Sequence, residues 1–231
     1  MPGHLGQQTE VIYFEHDGMR FTELTSPQQL HAAYELRYRI CVEKLHWVEG
    51  DPATRTESDE FDAHSYHFGC YSGQELVGYL RLTKETAPPG TMTRTYFPEL
   101  WHRDPHYPKA RTADITRLLL DRPRLPNPKS MLPALRGLYR LAYGRSQLCR
   151  PTIQYWYFIT TPKLLGGLRW RLGLPVKKIG QGITSDGKMT YVAGLSLRRG
   201  GLQLLLLAPW RLNYFRSVAR HTHPLPGPSR H

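Results

Sequence analysis

The chain has 231 residues, enough for one well-buried core and short for two domains. Hydrophobic residues make up 40% and charged residues 22%, which excludes a chain that is disordered throughout. Thirty-one Lys and Arg against 19 Asp and Glu give a formal charge of +12, which calls for an anionic partner. Nucleic acid, an anionic membrane and an acidic carrier protein all fit.

Cys41, Cys70 and Cys149 are widely spaced and odd in number, so they read as buried thiols in a reducing compartment. The start is polar and lacks the apolar run of a signal peptide. The most apolar stretch, Leu202 to Pro209, falls far short of the about 20 residues that span a bilayer. A cytoplasmic protein is expected, with peripheral contact at the inner membrane through the C-terminal segment as a further possibility.

In chain order, Val11 to Phe14 and Met19 to Leu24 flank a turn and predict a short hairpin. Ser26-Pro27 opens a helix to about His46, with Leu30, Ala33, Tyr34, Cys41 and Leu45 on one face. Val48 to Glu60 turns polar and acidic and reads as a mobile loop. Ser65 to Tyr71 and Leu76 to Thr83 form a second hairpin, and a Pro-rich connection leads to a strand over Arg111 to Leu120. Leu132 to Leu148 is a helix, Thr152 to Thr160 a strand, Pro162 to Leu172 a short helix. Val176 to Ile183 and Lys188 to Leu197 form a last hairpin.

This order predicts an α/β (α+β) fold, a mixed central sheet flanked by helices, over residues 1–200. Residues 201–231 read as a helical segment, broken at Pro209, and a Pro-rich tail.

Two strands carry charge where alternation predicts core: Arg81 within Leu-Val-Gly-Tyr-Leu, and Asp114, Thr116 and Arg117 before Leu118-Leu119-Leu120. A buried charge persists only when paired, and Arg81 with Asp114 is one such pairing to expect. Arg37 on the first helix, Trp47 beyond it, and Asp59 and Asp62 three apart complete the set.

In this order the residues resemble the acyl-homoserine lactone (autoinducer) synthases. The stretch Asp59-Glu60-Phe61-Asp62-Ala63-His64-Ser65-x-His67-Phe68 with Gly78-x-x-Arg81-Leu82 is closer to the related N-acyl amino acid synthases and the exosortase (PEP-CTERM) system-associated acyltransferases. The resemblance spans roughly residues 30 to 195 and implies a GNAT-like acyltransferase that forms an amide from an acyl thioester. The family's Glu and Ser in the fourth motif are Asp114 and Thr116 here, and an aromatic usual after the first Arg is Cys41. The resemblance implies Asp62, Asp114 and Arg117 as catalytic residues. It assigns Arg37, Trp47, Asp59, Arg81 and Thr116 to the substrate, the arginines suiting a carboxylate.

Coenzyme A-dependent acetyltransferases of this sheet type carry a Gly-rich turn after the central strand, whose amides cradle pyrophosphate. Leu118 to Arg124 contains no glycine, so acyl carrier protein is the expected donor rather than acyl-CoA, with no bound cofactor. Arg136, Arg140, Arg145 and Arg150 along the 132–148 helix and its end, with Lys177 and Lys178, are the expected basic docking surface. The resemblance implies a small-molecule amine as the acceptor.

Blander readings compete. Asp59 and Asp62 suit a loop cap, His64 and His67 suggest a metal that strand geometry disfavours, and Cys41 lies on an apolar helix face. The aromatic run Tyr155-Trp156-Tyr157-Phe158 fits core or acyl-pocket wall better than a nucleic-acid platform, so no nucleic-acid partner is expected. The alternatives are an autoinducer synthase using S-adenosylmethionine and a non-catalytic module binding an acyl carrier or lipid.

Overall fold

A computed structural model describes residues 11–101, 105–170, 173–183, 187 and 189–199. The expected C-terminal helical segment lies outside them. Eight strands form one sheet: β1 (Tyr13–His16), β2 (Met19–Leu24), β3 (Ser65–Ser72), β4 (Glu75–Lys84), β5 (Thr112–Leu120), β6 (Tyr155–Thr160), β7 (Lys177–Ile183) and β8 (Met189–Ser196), in spatial order β1-β2-β3-β4-β5-β6-β8-β7. All neighbours are antiparallel except β5 and β6, which pair in parallel only at Thr112–Tyr155, Ala113–Trp156 and Asp114–Tyr157. Beyond Asp114 the two strands part, and the gap becomes a cleft.

The helices are α1 (Pro27–Arg37), α2 (Met92–Tyr96), α3 (Met131–Leu148) and α4 (Pro162–Trp170). Ser26 caps α1 as expected: its hydroxyl accepts the Gln29 N–H while the Gln29 side chain accepts the Ser26 N–H, a reciprocal capping box. The helix continues as a π-helix over Tyr38–Lys44, which accounts for the predicted length.

Pleat alternation divides the sheet. Phe68, Leu80, Leu82, Ile115, Trp156 and Phe158 join one buried cluster with Leu138, Leu141 and Ala142 of α3 and Leu165 and Leu168 of α4. Close approach of α3 depends on Gly137, where a Cβ would meet the Phe21 ring at 2.1 Å. Directly paired residues share a face, so His67, Arg81, Thr83, Asp114 and Thr116 stand together on the other side, which α1 and α2 approach. Among the described residues no helix is long and apolar enough to cross a membrane.

The 48–60 loop departs from the mobile segment expected. Asp51 bridges Thr56, the Glu57 N–H donates to the Tyr34 carbonyl, and the Glu57 side chain is buried. Arg140 and Arg145 correct the docking-surface expectation. Arg140 is buried with its guanidinium 4.2 Å from the centre of the Phe14 ring, and Arg145 pairs with buried Glu23 of β2. Both fasten α3 to the β1–β2 edge of the sheet. Arg136 is half-buried, while Lys177 and Lys178 are exposed on β7 at the far edge.

Candidate active site

Three guanidinium groups and three carboxylates converge on the polar face. Arg37, at the C-terminus of α1, donates from Nε and Nη2 to the two oxygens of Glu57 at 2.6 and 2.9 Å, and from Nη1 to Asp62 Oδ1 at 2.6 Å. Arg81 of β4 donates to the same Asp62 oxygen at 2.6 Å, to Asp59, and from Nε to the Thr116 hydroxyl at 3.0 Å. Arg117 closes the ring, donating to Glu57 at 2.8 Å and Asp59 at 3.1 Å. Arg37 and Arg81 are both 0% exposed. Their engagement with internal carboxylates is what makes such burial tolerable.

Local sequence explains the placement. Asp59 and Asp62 close their own turn, with the Asp59 N–H donating to Asp62 Oδ2 at 2.8 Å and the Phe61 N–H to Asp59 Oδ1 at 3.1 Å. A 3₁₀ turn over Asp62–His64 then delivers the chain into β3. Burial opposes ionisation of Asp62, but Arg37 and Arg81 overcome it and hold this carboxyl below its ordinary range. Glu57 is likewise held low against its burial, by Arg37 and then Arg117.

Arg117 sits at an irregularity of β5. Arg81 pairs with Thr116 and Tyr79 with Leu119, so Arg117 and Leu118 together stand opposite Leu80. This is a β-bulge, and Arg117 takes a left-handed backbone at φ 52°, uncommon for a residue other than glycine.

Asp114 lies two residues before Thr116 on the same face and is completely buried. Its Oδ2 accepts the Thr93 N–H of α2 at 2.9 Å. It does not pair with Arg81, whose partners are Asp59 and Asp62. Burial pushes the Asp114 carboxyl up to about 7, because the Thr93 hydrogen bond and the charge of Arg81 offset only part of the desolvation.

On the far side of the bulge, Leu118, Leu119 and Leu120 line a cleft of about 730 Å³. Ile40 and Leu45, Met131, Leu132 and Leu135 of α3, and Leu168 of α4 add to its apolar lining. Lys44, Arg122 and Lys163 line it as well, and all three are exposed. Trp47 belongs to this cleft rather than to the ion-pair ring. It is 54% exposed, and Trp170 is 87% exposed.

The structure therefore brings together Arg37, Asp59, Asp62, Arg81, Thr116 and Arg117, with Asp114 two residues away along β5. Glu57, which the sequence reading passed over, holds Arg37 and Arg117 together. Its only signal was membership of the acidic run before Asp62. His67 is buried between the Tyr79 hydroxyl and the Asp62 carbonyl, and among the described residues no group of three His, Cys, Asp or Glu side chains is placed to hold a metal. Burial raises the Cys41 thiol to about 11, which suits a core thiol rather than a nucleophile. Trp156 and Phe158 enter the core, while Tyr155 and Tyr157 stack on Tyr107 across the sheet.

A family model described as an acetyltransferase (GNAT) domain matches residues 36–123. The chain has a GNAT-like α/β fold. Among solved structures, the chain is similar to the acyl-homoserine lactone synthase LasI at 21% identity, with a TM-score of 0.63 over 80% of this chain and 93% of that one. It is similar at 22% identity to BjaI, a CoA-dependent acyl-homoserine lactone synthase seen with SAM and isopentyl-CoA, with a TM-score of 0.61 over 79% and 81%. It is also similar to FeeM, an N-acyl amino acid synthase from uncultured soil microbes, at 16% identity and a TM-score of 0.58 over 81% and 95%. No curated protein matches the chain.

Proposed function

We propose that this chain is an N-acyltransferase that moves a fatty acyl group from the thioester of acyl carrier protein to the amino group of an amino acid or similar amine. One observation carries the reading. A single strand, β5, joins a buried carboxyl near neutrality, Asp114, to an apolar cleft through a bulge.

In this reading the acyl chain and its thioester arm enter between β5 and β6, against Leu118–Leu120 and α3. Asp114 takes the proton that the incoming ammonium must lose, a task suited to a group near the working pH. The amine nitrogen attacks the thioester carbon, the C–N bond forms, and the C–S bond breaks. The nitrogen gives up its second proton to the carrier's sulfur, which leaves as a thiol, and Asp114 releases the first to solvent. A backbone N–H freed from the ladder at the bulge stabilises the developing oxyanion.

Asp62 is too firmly held by two arginines to serve as base, so its part is to fix Arg37 and Arg81. Asp59 and Thr116 orient the amine beside them. Arg117, at the edge of the ring, is the guanidinium best placed for a substrate carboxylate. Trp47 flanks the acyl arm.

The carrier protein seats its acidic face at the cleft, over Lys44, Arg122 and Lys163. These residues replace Arg140 and Arg145, and the edge lysines Lys177 and Lys178 are secondary. The Asp59-to-Phe68 stretch favours the exosortase-associated branch, and the C-terminal segment suits peripheral membrane contact. A second reading, an acyl-homoserine lactone synthase that consumes S-adenosylmethionine, draws support from the fold shared with LasI and BjaI.

The test is mass spectrometry of products made by purified protein from acyl-carrier thioesters of several lengths, offered a panel of amino acids or S-adenosylmethionine. An N-acyl amino acid formed by the wild type, and on the order of 10²-fold or more slowly by Asp114→Asn, is the expected result. An acyl-homoserine lactone promotes the second reading, and no product from any pair overturns both.

A further inference from the structure

His67 is a buried polar side chain beside the site that the proposed chemistry leaves unused. It stands on β3 with Nε2 2.9 Å from the carbonyl oxygen of Asp62 and Nδ1 2.6 Å from the Tyr79 hydroxyl. A carbonyl oxygen can only accept, so Nε2 carries the proton. In the neutral ring Nδ1 then accepts, and the Tyr79 hydroxyl donates. Hydrogen bonding runs one way, from Tyr79 through the imidazole to the backbone of Asp62.

That backbone carries the centre of the site. The Asp62 side chain receives Arg37, Arg81 and the Asp59 N–H. Guanidinium groups fix its carboxylate, and the imidazole fixes the peptide behind it.

We propose that His67 is a positioning residue of the acyl transfer: as the neutral, Nε2-protonated imidazole it holds the Asp59–Asp62 turn in register with Arg37 and Arg81. The proposal rests on the transferase reading above.

The groups around the ring favour the neutral form. The Tyr34 ring meets it edge-on at 6.5 Å from α1, Tyr79 and Arg81 face it from β4, and Arg37 approaches from α1. Leu24, its partner on β2, is uncharged. Burial lowers the pKa of His67, both arginines act in the same direction, and the Asp62 carbonyl and carboxylate oppose them. A second proton would turn Nδ1 into a donor facing the Tyr79 hydroxyl. It would also place a third cation beside Arg37 and Arg81. Acid therefore loosens the turn.

The test compares wild type, His67→Leu and His67→Gln in kcat, in KM for the acyl-carrier thioester, and in the pH profile of kcat. Leu removes the donor; Gln keeps an N–H for the Asp62 carbonyl and has no proton to gain. The expected result for His67→Leu is a loss in kcat on the order of 10²-fold, the scale of a small misplacement at a reacting centre, with the thioester KM unchanged. His67→Gln should recover most of that loss and show a weaker fall in rate on the acid side. A His67→Leu enzyme with wild-type kcat, or a His67→Gln enzyme as impaired as His67→Leu, overturns the proposal.

A second measurement does not depend on activity or on the Leu variant folding. In ¹⁵N-histidine NMR of the full chain, the resonance missing from His67→Gln identifies His67. At about pH 6, near the ordinary histidine range, it should report a neutral ring protonated at Nε2. A charged ring or an Nδ1-protonated tautomer overturns the assignment. If the wild type acylates no amine, the transferase reading falls while the NMR result still decides the state of His67.

Discussion

Arg37 and Arg81 share one oxygen atom: both guanidinium groups donate to Oδ1 of Asp62 at 2.6 Å. Asp62 is thus the keystone of a buried ion-pair ring, and its removal deprives both interior guanidinium groups of one carboxylate partner each, leaving Arg37 with Glu57 and Arg81 with Asp59. Asp62→Ala is expected to lose about 3–5 kcal/mol of folding free energy, the scale for breaking a buried pair. Urea unfolding at neutral pH checks this. Because the folded-state pKa of Asp62 and of Glu57 is depressed, both contribute stability above the ordinary carboxylate pKa. That contribution fades as the pH falls through their lowered values, so the wild type should lose stability steeply in acid.

Asp114 obeys the opposite sign. Its pKa is raised to about 7, so the folded chain holds a proton that the unfolded chain releases from about pH 4 upward. Its contribution to stability therefore falls as the pH rises from about 4 to about 7. Asp114→Asn keeps an acceptor for the Thr93 N–H and removes the buried charge. Thermal unfolding at pH 8 should show it more stable than wild type, with the gap closing toward pH 4. The same change should lower kcat by on the order of 10²–10⁴-fold, the usual contribution of a general base. The wild-type rate should rise with pH through about 7, and the variant's residual rate should lack that limb.

Basic residues at two sites should separate cleanly. Lys163→Glu and Arg122→Glu reverse exposed charges at the cleft and should raise KM for the carrier thioester several-fold, more at low salt, with unfolding unchanged. Arg145→Met should leave that KM unchanged and cost about 3–5 kcal/mol, since it strands buried Glu23. Steady-state kinetics at two ionic strengths, paired with denaturant unfolding, distinguishes the two classes.

Leu135 projects from α3 into the cleft. Leu135→Trp should fill part of the about 730 Å³ and move the product spectrum toward shorter acyl chains. The readout is the ratio of products from an equimolar mixture of thioesters.

The sequence already marks much of this architecture, because its strongest signals are local. Alternation around Ser72-Gly73 reveals β3 and β4, and Ser26-Pro27 marks the start of α1. Arg81 and Asp114 stand out because charge inside an apolar strand demands a reason. Glu57 does not, since an acid in a polar run looks solvated until the loop folds over α1. Arg140 and Arg145 mislead for the converse reason: arginine on a helix suggests solvent, while here the opposing surface supplies Phe14 and Glu23. The partner assumed for Arg81 is wrong because strand pairing brings Asp114 opposite Thr83, one pleat away. A π-helix has no sequence period to betray it, and a cleft lined by the end of β5, the π-helix, α3 and α4 has no local signature at all.

The bulge at Arg117 makes β5 a crankshaft. Its first half is phased by Thr116 opposite Arg81, its second by Leu119 opposite Tyr79. Deleting one residue at the crank would bring the two halves into a common phase and exchange the leucine faces turned toward the cleft, while Asp114 and Thr116 kept theirs. A lineage can thus acquire a differently shaped cleft through an indel at one position and leave its carboxylates untouched. Among homologues, length variation at this point should track the fatty acid transferred rather than the amine that receives it.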